Sequence, residues 1–558
     1  MYVLGLGAAP FLDPPEGFHA AVAESMRVSG DITTLRVDGV RYFDKPPLLY
    51  WLMAASFSIA GPTEAAARVW PALAGAGIAA VTGWIGTMLG GARVGLLAAL
   101  LSAANLGMFI FGREVKPDLP FIFFIVLAFA GFVVAYRGAG RWGLAVAYAS
   151  LGMAALTKDF LGAAAPLGVC AAFLWITRER PYAAWAPWWG VALMIGIALP
   201  WYAAAELRSH GFLWYTVVDN HVLNFARQRV FPDSDVPLGA VPFLSVTLGA
   251  FLPWVLAAPW AVARALRPPW PNAEARLWGL LALWVVLVLG FFTLSPFKLP
   301  HYGLPALPAL ALLVARVWDE SIDALPGALA PRTLLTPITV LFALAGAGLV
   351  LGALGLLGMP GGALESVDVP ARNLAARGQA AVPSPLAVYA PILLKSGILF
   401  AVAAAAMAVT TARRLPAAGL GVALAAMIAF LPMAAEGMGV FARSRSARPI
   451  VAELTRRLQP ADVVVHEGPL EDTGSLLLAV HRRVHVVDGL QSNLAFGATF
   501  PEARDVFWSR VRLREAWGSG RCFLISTVPP ALSATRMLEP VHLLAEGGGR
   551  WLYSNVAD

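Results

Sequence analysis

The stretch "LWGLLALWVVLVLGFFTLSP", residues 277–296, runs for 20 residues without a single charge. A helix of that length, rising about 1.5 Å per residue, covers the roughly 30 Å hydrocarbon core of a bilayer. Comparable windows recur from residue 63 to residue 441. About twelve are readable, at roughly 63–90, 94–112, 117–136, 142–158, 160–177, 184–205, 239–263, 277–296, 300–316, 334–357, 388–411 and 417–440. The composition agrees, with 58% hydrophobic and only 13% charged residues, where soluble domains carry roughly 25% charge. The chain reads as a multi-pass α-helical membrane protein. Its 53 glycines and 42 prolines do not argue for disorder, because membrane helices tolerate both.

The termini read differently. "MYVLGLGAAPFL", residues 1–12, is apolar but too short to span, and it lacks a basic start and a cleavage site. It is expected to be the outer end of a partial first membrane helix. Residues 13–62 then form an outer loop with membrane-lying helices, 63–441 the transmembrane domain, and 442–558 a soluble α/β domain. That last assignment rests on the short β-rich runs "DVVVHEG", "VHVVDG", "CFLIST" and "VHLLAEG" between amphipathic segments. Cys170 and Cys522 are the only cysteines, which implies neither a disulfide framework nor a cysteine metal site.

The formal charge of +7 invites a nucleic-acid reading, but the arginines are scattered through short loops and form no basic stripe. Arg93, Arg137, Arg141, Arg178, Arg180, Arg264, Arg267, Arg276, Arg316, Arg332, Arg413 and Arg414 fall in alternate loops, which the positive-inside rule places in the cytoplasm. No nucleic-acid partner is expected. The opposite loops and the C-terminal domain then face the outside of a bacterial inner (plasma) membrane.

Against that pattern, the chain has only five lysines, and four of them, Lys45, Lys116, Lys158 and Lys298, lie at outward-facing ends. Three sit beside an acid, in "FDKPP", "VKPDLPF" and "LTKDF". Each alone reads equally as an interfacial anchor snorkelling to water. Together they favour a shared wet cavity, because ions at membrane depth are costly and usually face one. Ammonium and guanidinium groups in such a cavity suit a lipid-linked phosphate.

"FKLPHYGLP" adds His301 and Tyr302 beside Lys298 at a helix start. "DNHVLNFARQRVFPDSDVP" adds Asn220, His221, Asn224 and Arg227 at spacings that put most of them along one helical face. A solvated surface helix would look similar. "FLDPPEGFHAAVAESM" offers Asp13, Glu16 and His19 before an amphipathic helix. Acids there serve either as helix caps or as the carboxylate that orients or deprotonates an attacking hydroxyl.

In order, "EGFHAAVAESMRVSGD", "RYFDKPPLLYWL", "KPDLPFIFF", "ALTKDFLGAAAP", "LPWY", "NHVLNFAR", "LPW" and "KLPHYGLPALPAL" resemble the aminoarabinose transferase (ArnT) branch of the protein O-mannosyltransferase superfamily. The resemblance covers residues from about 12 to about 317. It implies a GT-C fold and transfer of a sugar from a polyprenyl-phosphate carrier to a lipid A, protein or glycan acceptor on the outer face. It implies Asp118 as the acid of the second outer loop and Lys45, Lys158 and Lys298 as the motif lysines. The family's adjacent Asp-Glu pair is replaced here, since Pro15 precedes Glu16. Glu16 keeps the register, and Asp13 is the alternative across the Pro14-Pro15 turn. The expected sites are therefore Asp13, Glu16 and Asp118 as catalytic acids. Lys45, Lys158, Lys298, His301 and Arg227 would bind the donor phosphate, with Tyr42, Asp44, Lys116, Asp159, Asn220, His221, Asn224 and Tyr302 lining the substrate site. No cofactor is required by this reading. A divalent metal between Asp118 and the first-loop acids is compatible with it, though no ligand cluster demands one. The rival reading is a transporter or flippase of a lipid-linked anionic glycan. It is disfavoured because the charged motifs sit at one face and no repeated half is visible.

Overall fold

The computed structural model describes residues 1–231, 235–357, 368–378 and 385–557. Its bulk is a helical bundle, and small residues set its tightest joints. Helix Glu64–Ala103 turns back on itself at Gly91, whose φ of 84° and ψ of 177° are available to glycine. The arms touch through backbone: a Cβ on Gly86 would lie 2.9 Å from the Gly95 Cα. Helices Asp118–Val134 and Gly140–Thr157 form a second hairpin, with Gly131 against Ala147 and Gly143 against Ala135. Glycine at these crossings lets helices approach closely where no hydrophobic drive exists between them in lipid.

Among the described residues, seven helical stretches are long and apolar enough to cross a membrane, counting each hairpin as one, or eight if Ala240–Ala250 and Trp254–Leu266, bent by 107°, form one span. Their surface is rich in exposed apolar side chains such as Leu199, Leu344 and Val402, and the exposed Lys395 and Glu436 of two neighbouring helices pair with each other. An apolar belt of this extent belongs in a bilayer. Trp142, Trp175 and Trp188 project from the bundle near helix ends, as interfacial tryptophans do. The protein is a multi-pass membrane protein.

At one end of the bundle lies the loop that precedes it. Helix Pro15–Ser29 carries Pro15 in its first turn and stops at Gly30 in the left-handed region. Strands β1 (Arg36–Val37) and β2 (Val40–Arg41) pair antiparallel around Asp38-Gly39, both at positive φ, which is the demand of a tight two-residue hairpin. Helix Leu48–Ala60 follows.

The C-terminal domain packs on the same end. Its sheet runs β5-β4-β3-β6-β8-β7, from β3 (Val463–Glu467), β4 (His485–Val487), β5 (Phe507–Trp508), β6 (Cys522–Ser526), β7 (His542–Gly547) and β8 (Arg550–Ser554). The first four strands are parallel and the last two antiparallel. The four β-rich runs of the sequence are β3, β4, β6 and β7. The sheet also includes β5, only two residues long, and β8, "RWLYS", which carry no comparable apolar run. Phe18, Val22 and Met26 share one buried cluster with Ile450, Leu454, Leu470, Val486 and Phe523. The first loop and the C-terminal domain are thus one packed body, the sheet-bearing end.

Candidate active site

The second hairpin builds the centre of the site. Its closed end is at Gly138, so its two open ends bring Asp118, first residue of one arm, against Lys158, just past the end of the other. Lys158 Nζ donates to Asp118 Oδ1 at 2.6 Å, with 15% and 7% of the two side chains exposed. His301, in the Pro300–Ala306 turn, brings Nε2 to 3.7 Å from the same carboxylate. The ammonium of Lys158 lies over the Tyr302 ring at 4.9 Å. Phe111 packs beside the His301 ring and under the ammonium of Lys116, which pairs with Glu114 at 2.9 Å.

Around this core the loops add further charge. Lys45 pairs with its neighbour Asp44. Burial works against the Asp44 charge, yet Lys45 and then Arg229 hold its carboxyl below the usual range. Burial likewise opposes the Lys45 charge, and Asp44, Asp159 and Asp118 outweigh it, so its pKa is raised. His19 donates to or accepts from the Tyr50 hydroxyl at 2.8 Å. Burial, then Lys45 and Lys116, push its pKa down to about 3, so the ring stays neutral. Asp159 faces His221 Nε2 at 3.8 Å, and His221 Nδ1 lies 2.6 Å from the Thr216 carbonyl. Lys45, Lys116, Asp118, Asp44 and His19 therefore lie near enough to act electrostatically on one another.

Other expected residues lie elsewhere or do other work. Glu16 is 1% exposed and accepts two bonds from Arg68, at 2.8 and 2.5 Å, and the backbone N–H groups of Val115 and Leu12. Asp13, 2% exposed, accepts from the Ser475 N–H at 3.0 Å, the Ser475 hydroxyl at 2.5 Å and the Ala447 N–H at 3.2 Å. The structure thus joins Asp13 to the C-terminal domain, apart from the Asp118 set. Lys298 donates to the carbonyls of Thr293 and Ser295, capping the end of helix Ala273–Leu294. Arg227 is exposed and turns at positive φ. Tyr42 is buried between Phe18 and Tyr50.

Residues Trp214–Leu223 form a wide π-type helix, so the spacing that places Asn220, His221, Asn224 and Arg227 on one ordinary helical face does not apply. Asn220 accepts from Arg229, His221 turns to Asp159, and Asn224 supplies the carbonyl that receives the Arg227 N–H at 3.1 Å. Sequence reasoning passed over Arg229, Arg68 and Tyr50. Arg68 had a readable signal, a lone arginine inside an apolar window. Arg229 had none to separate it from Arg227 two residues earlier. Among the described residues no three His, Cys, Asp or Glu side chains converge as a metal site requires.

Comparison with known proteins agrees with this layout. Residues 19–216 match the family of dolichyl-phosphate-mannose-protein mannosyltransferases. The chain is 28% identical over 333 residues to an undecaprenyl phosphate-alpha-4-amino-4-deoxy-L-arabinose arabinosyl transferase of Pseudomonas fluorescens, covering 58% of each chain. It is 30% identical over 311 residues to the enzyme of that name from Pseudomonas paraeruginosa, covering 54% of each. These matches span a little under three fifths of the relatives' length. The crystal structure of ArnT from Cupriavidus metallidurans bound to undecaprenyl phosphate superposes with a TM-score of 0.81 at 22% identity, over 100% of this chain and 96% of that one. Over its whole length the chain therefore shares the fold of that structure, the GT-C architecture with a mixed α/β C-terminal domain, and within residues 19–216 it is similar to the mannosyltransferase family.

Proposed function

We propose that the protein is a glycosyltransferase that takes a sugar from undecaprenyl phosphate at the outer face of a bacterial inner membrane. The aminoarabinosyl group named for its relatives is the donor sugar that fits best, with a lipid A phosphate as acceptor. The observation that carries this reading is the buried Lys158–Asp118–His301 set, reached by Lys45 and Lys116 from two other segments.

The acceptor oxygen attacks the anomeric carbon while the bond from that carbon to the carrier phosphate breaks, and the bonding pair leaves with the phosphate. Charge therefore grows on the phosphate oxygens in the transition state. Lys45, Lys116 and Arg229 supply prearranged positive charge in a site shielded from bulk water, the arrangement that makes such stabilisation strong. Asp118 orients the acceptor and takes its proton where the acceptor is a hydroxyl. Lys158 and His301 keep that carboxylate ionised and aimed. A phosphate acceptor is already anionic and needs no base. Inversion at the anomeric carbon follows from a single displacement. The basic side chains provide the counter-charge at the phosphate, so transfer is expected to survive chelators.

The test is transfer of labelled aminoarabinose from undecaprenyl phosphate to lipid A in membranes carrying the wild type or Asp118→Asn. Product from the wild type and its loss in the variant support the reading. Movement of the donor across the membrane with no glycosylated product would sink it in favour of a transporter.

A further inference from the structure

The segment that carries Lys45 is gripped by the C-terminal domain. Phe43, two residues before Lys45, is 6% exposed, and its ring lies 5.1 Å from Phe496 and 5.6 Å from Phe500. It also meets Phe212 at 5.7 Å and Tyr215 at 6.4 Å. Phe496 stacks flat on Tyr215, at 4.6 Å and 6°, and meets Phe231 edge-on at 5.3 Å. Tyr215 belongs to the wide turn that holds Asn220 and His221, and Phe231 follows Arg229 by two residues. One ring from the last domain therefore touches both segments whose cations act on Asp44.

The backbone is equally close. A Cβ on Gly497 would lie 1.9 Å from the Arg41 carbonyl oxygen. Arg41 lies over the Phe500 ring at 4.2 Å and pairs with Glu502 at 2.5 Å.

Lys45 and Arg229 come from loops far apart in sequence, and neither sits in regular structure that fixes its position. Asp44 beside Lys45 and Asp219 beside Arg229 balance the two charges, and a flat aromatic wedge holds the backbones that carry them at a set distance at little entropic cost. We propose that Phe496 is a positioning residue, through which the C-terminal domain sets the spacing of Lys45 and Arg229 and so the affinity for the donor phosphate. The phosphate part of this statement rests on the function proposed above; the wedge itself does not.

The experiment uses the full-length protein in lipid nanodiscs, with radiolabelled undecaprenyl phosphate as probe and hydrogen exchange of residues 40–47 and 212–231 as a second reading. Phe496→Ala is expected to weaken binding about tenfold or more and to raise exchange in both segments. Phe496→Tyr, which keeps the flat ring, should bind as the wild type does. Leu513→Ala, in the separate core on the other side of the sheet, should lower thermal stability and leave binding alone. If Phe496→Ala does not fold, Phe496→Leu, which keeps bulk but not planarity, takes its place.

Unchanged exchange at 40–47 in the Phe496 variant overturns the wedge. So does an equal loss of binding in Leu513→Ala, which would make the effect one of general stability. A wild type that shows no affinity for undecaprenyl phosphate counts against the donor reading alone, because the exchange comparison still decides the wedge.

Discussion

The two ends of the helical bundle hold ions in opposite ways. At the far end the paired cations are arginines, each joined to a nearby acid and partly in water: Arg93 with Asp319 and Asp323, Arg264 and Arg316 with Glu320, and Arg276 with Glu179. Arg93 and Asp323 are each 46% exposed. These pairs fasten one helix end to another and are screened by solvent. At the sheet-bearing end the cations around Asp118 are the lysines Lys45, Lys116 and Lys158, partly buried and sharing acids with one another. A closed pair satisfies itself, whereas a shared set keeps a field available for a guest. The difference between fastening and waiting lies in burial and connectivity more than in the number of charges.

The comparison breaks most easily at Lys45 and Asp118. Lys45→Met or Asp118→Asn should lower sugar transfer by about 10²–10³-fold, while Arg93→Met should change it by less than about twofold. A similar loss from both ends, in the same membrane assay, would erase the distinction.

The next largest effect is on stability. Arg68→Met strands Glu16, a buried carboxylate, and should cost about 3–5 kcal/mol, read as a fall in melting temperature in detergent. Glu16→Gln added to Arg68→Met should recover part of the loss, because the stranded charge is then gone.

Two buried groups at the sheet-bearing end sharpen the picture through pH. His19 is held at about 3 against an ordinary 6.5. Between these values the unfolded chain binds the extra proton, so stability falls as pH drops below 6.5, and His19→Asn should remove that slope. Glu471 behaves in reverse, because burial, aided by Asp472, lifts its carboxyl to about 8 from 4.5. The folded chain then holds a proton the unfolded one has released, and stability falls as pH climbs from 4.5 to 8. Glu471→Gln should flatten this slope, measured by thermal melts across that range.

Much of the membrane domain and the central acid-lysine pair were legible in the sequence, for a plain physical reason. A charge in an apolar chain is conspicuous, so Lys45, Lys116, Asp118 and Lys158 stand out in the sequence. What stayed hidden depended on distance rather than on type. Lys298 looks like its fellow lysines, yet the carbonyls it caps lie within five residues and take two of its three donors. Arg227 and Arg229 differ only in the backbone turn between them, and a π-helix alters which residues share a face without marking the sequence. The partners of Asp13 lie 434 and 462 residues away, beyond the reach of any local pattern. Phe496 lies in "NLAFGATF", where nothing advertises the rings it meets.

That long reach of Asp13 has a consequence for biosynthesis. Its acceptor oxygens are filled by Ala447 and Ser475, and at about 5–20 residues per second the ribosome needs roughly 20 to 90 seconds to make the intervening chain. Throughout that interval the first loop has been made but its acidic anchor has no mate. The loop must wait, hydrated and unfinished, beside helices that have already inserted. Assembly of this end is therefore a late event governed by the last hundred or so residues, and any factor that shelters an unassembled loop would find its client here.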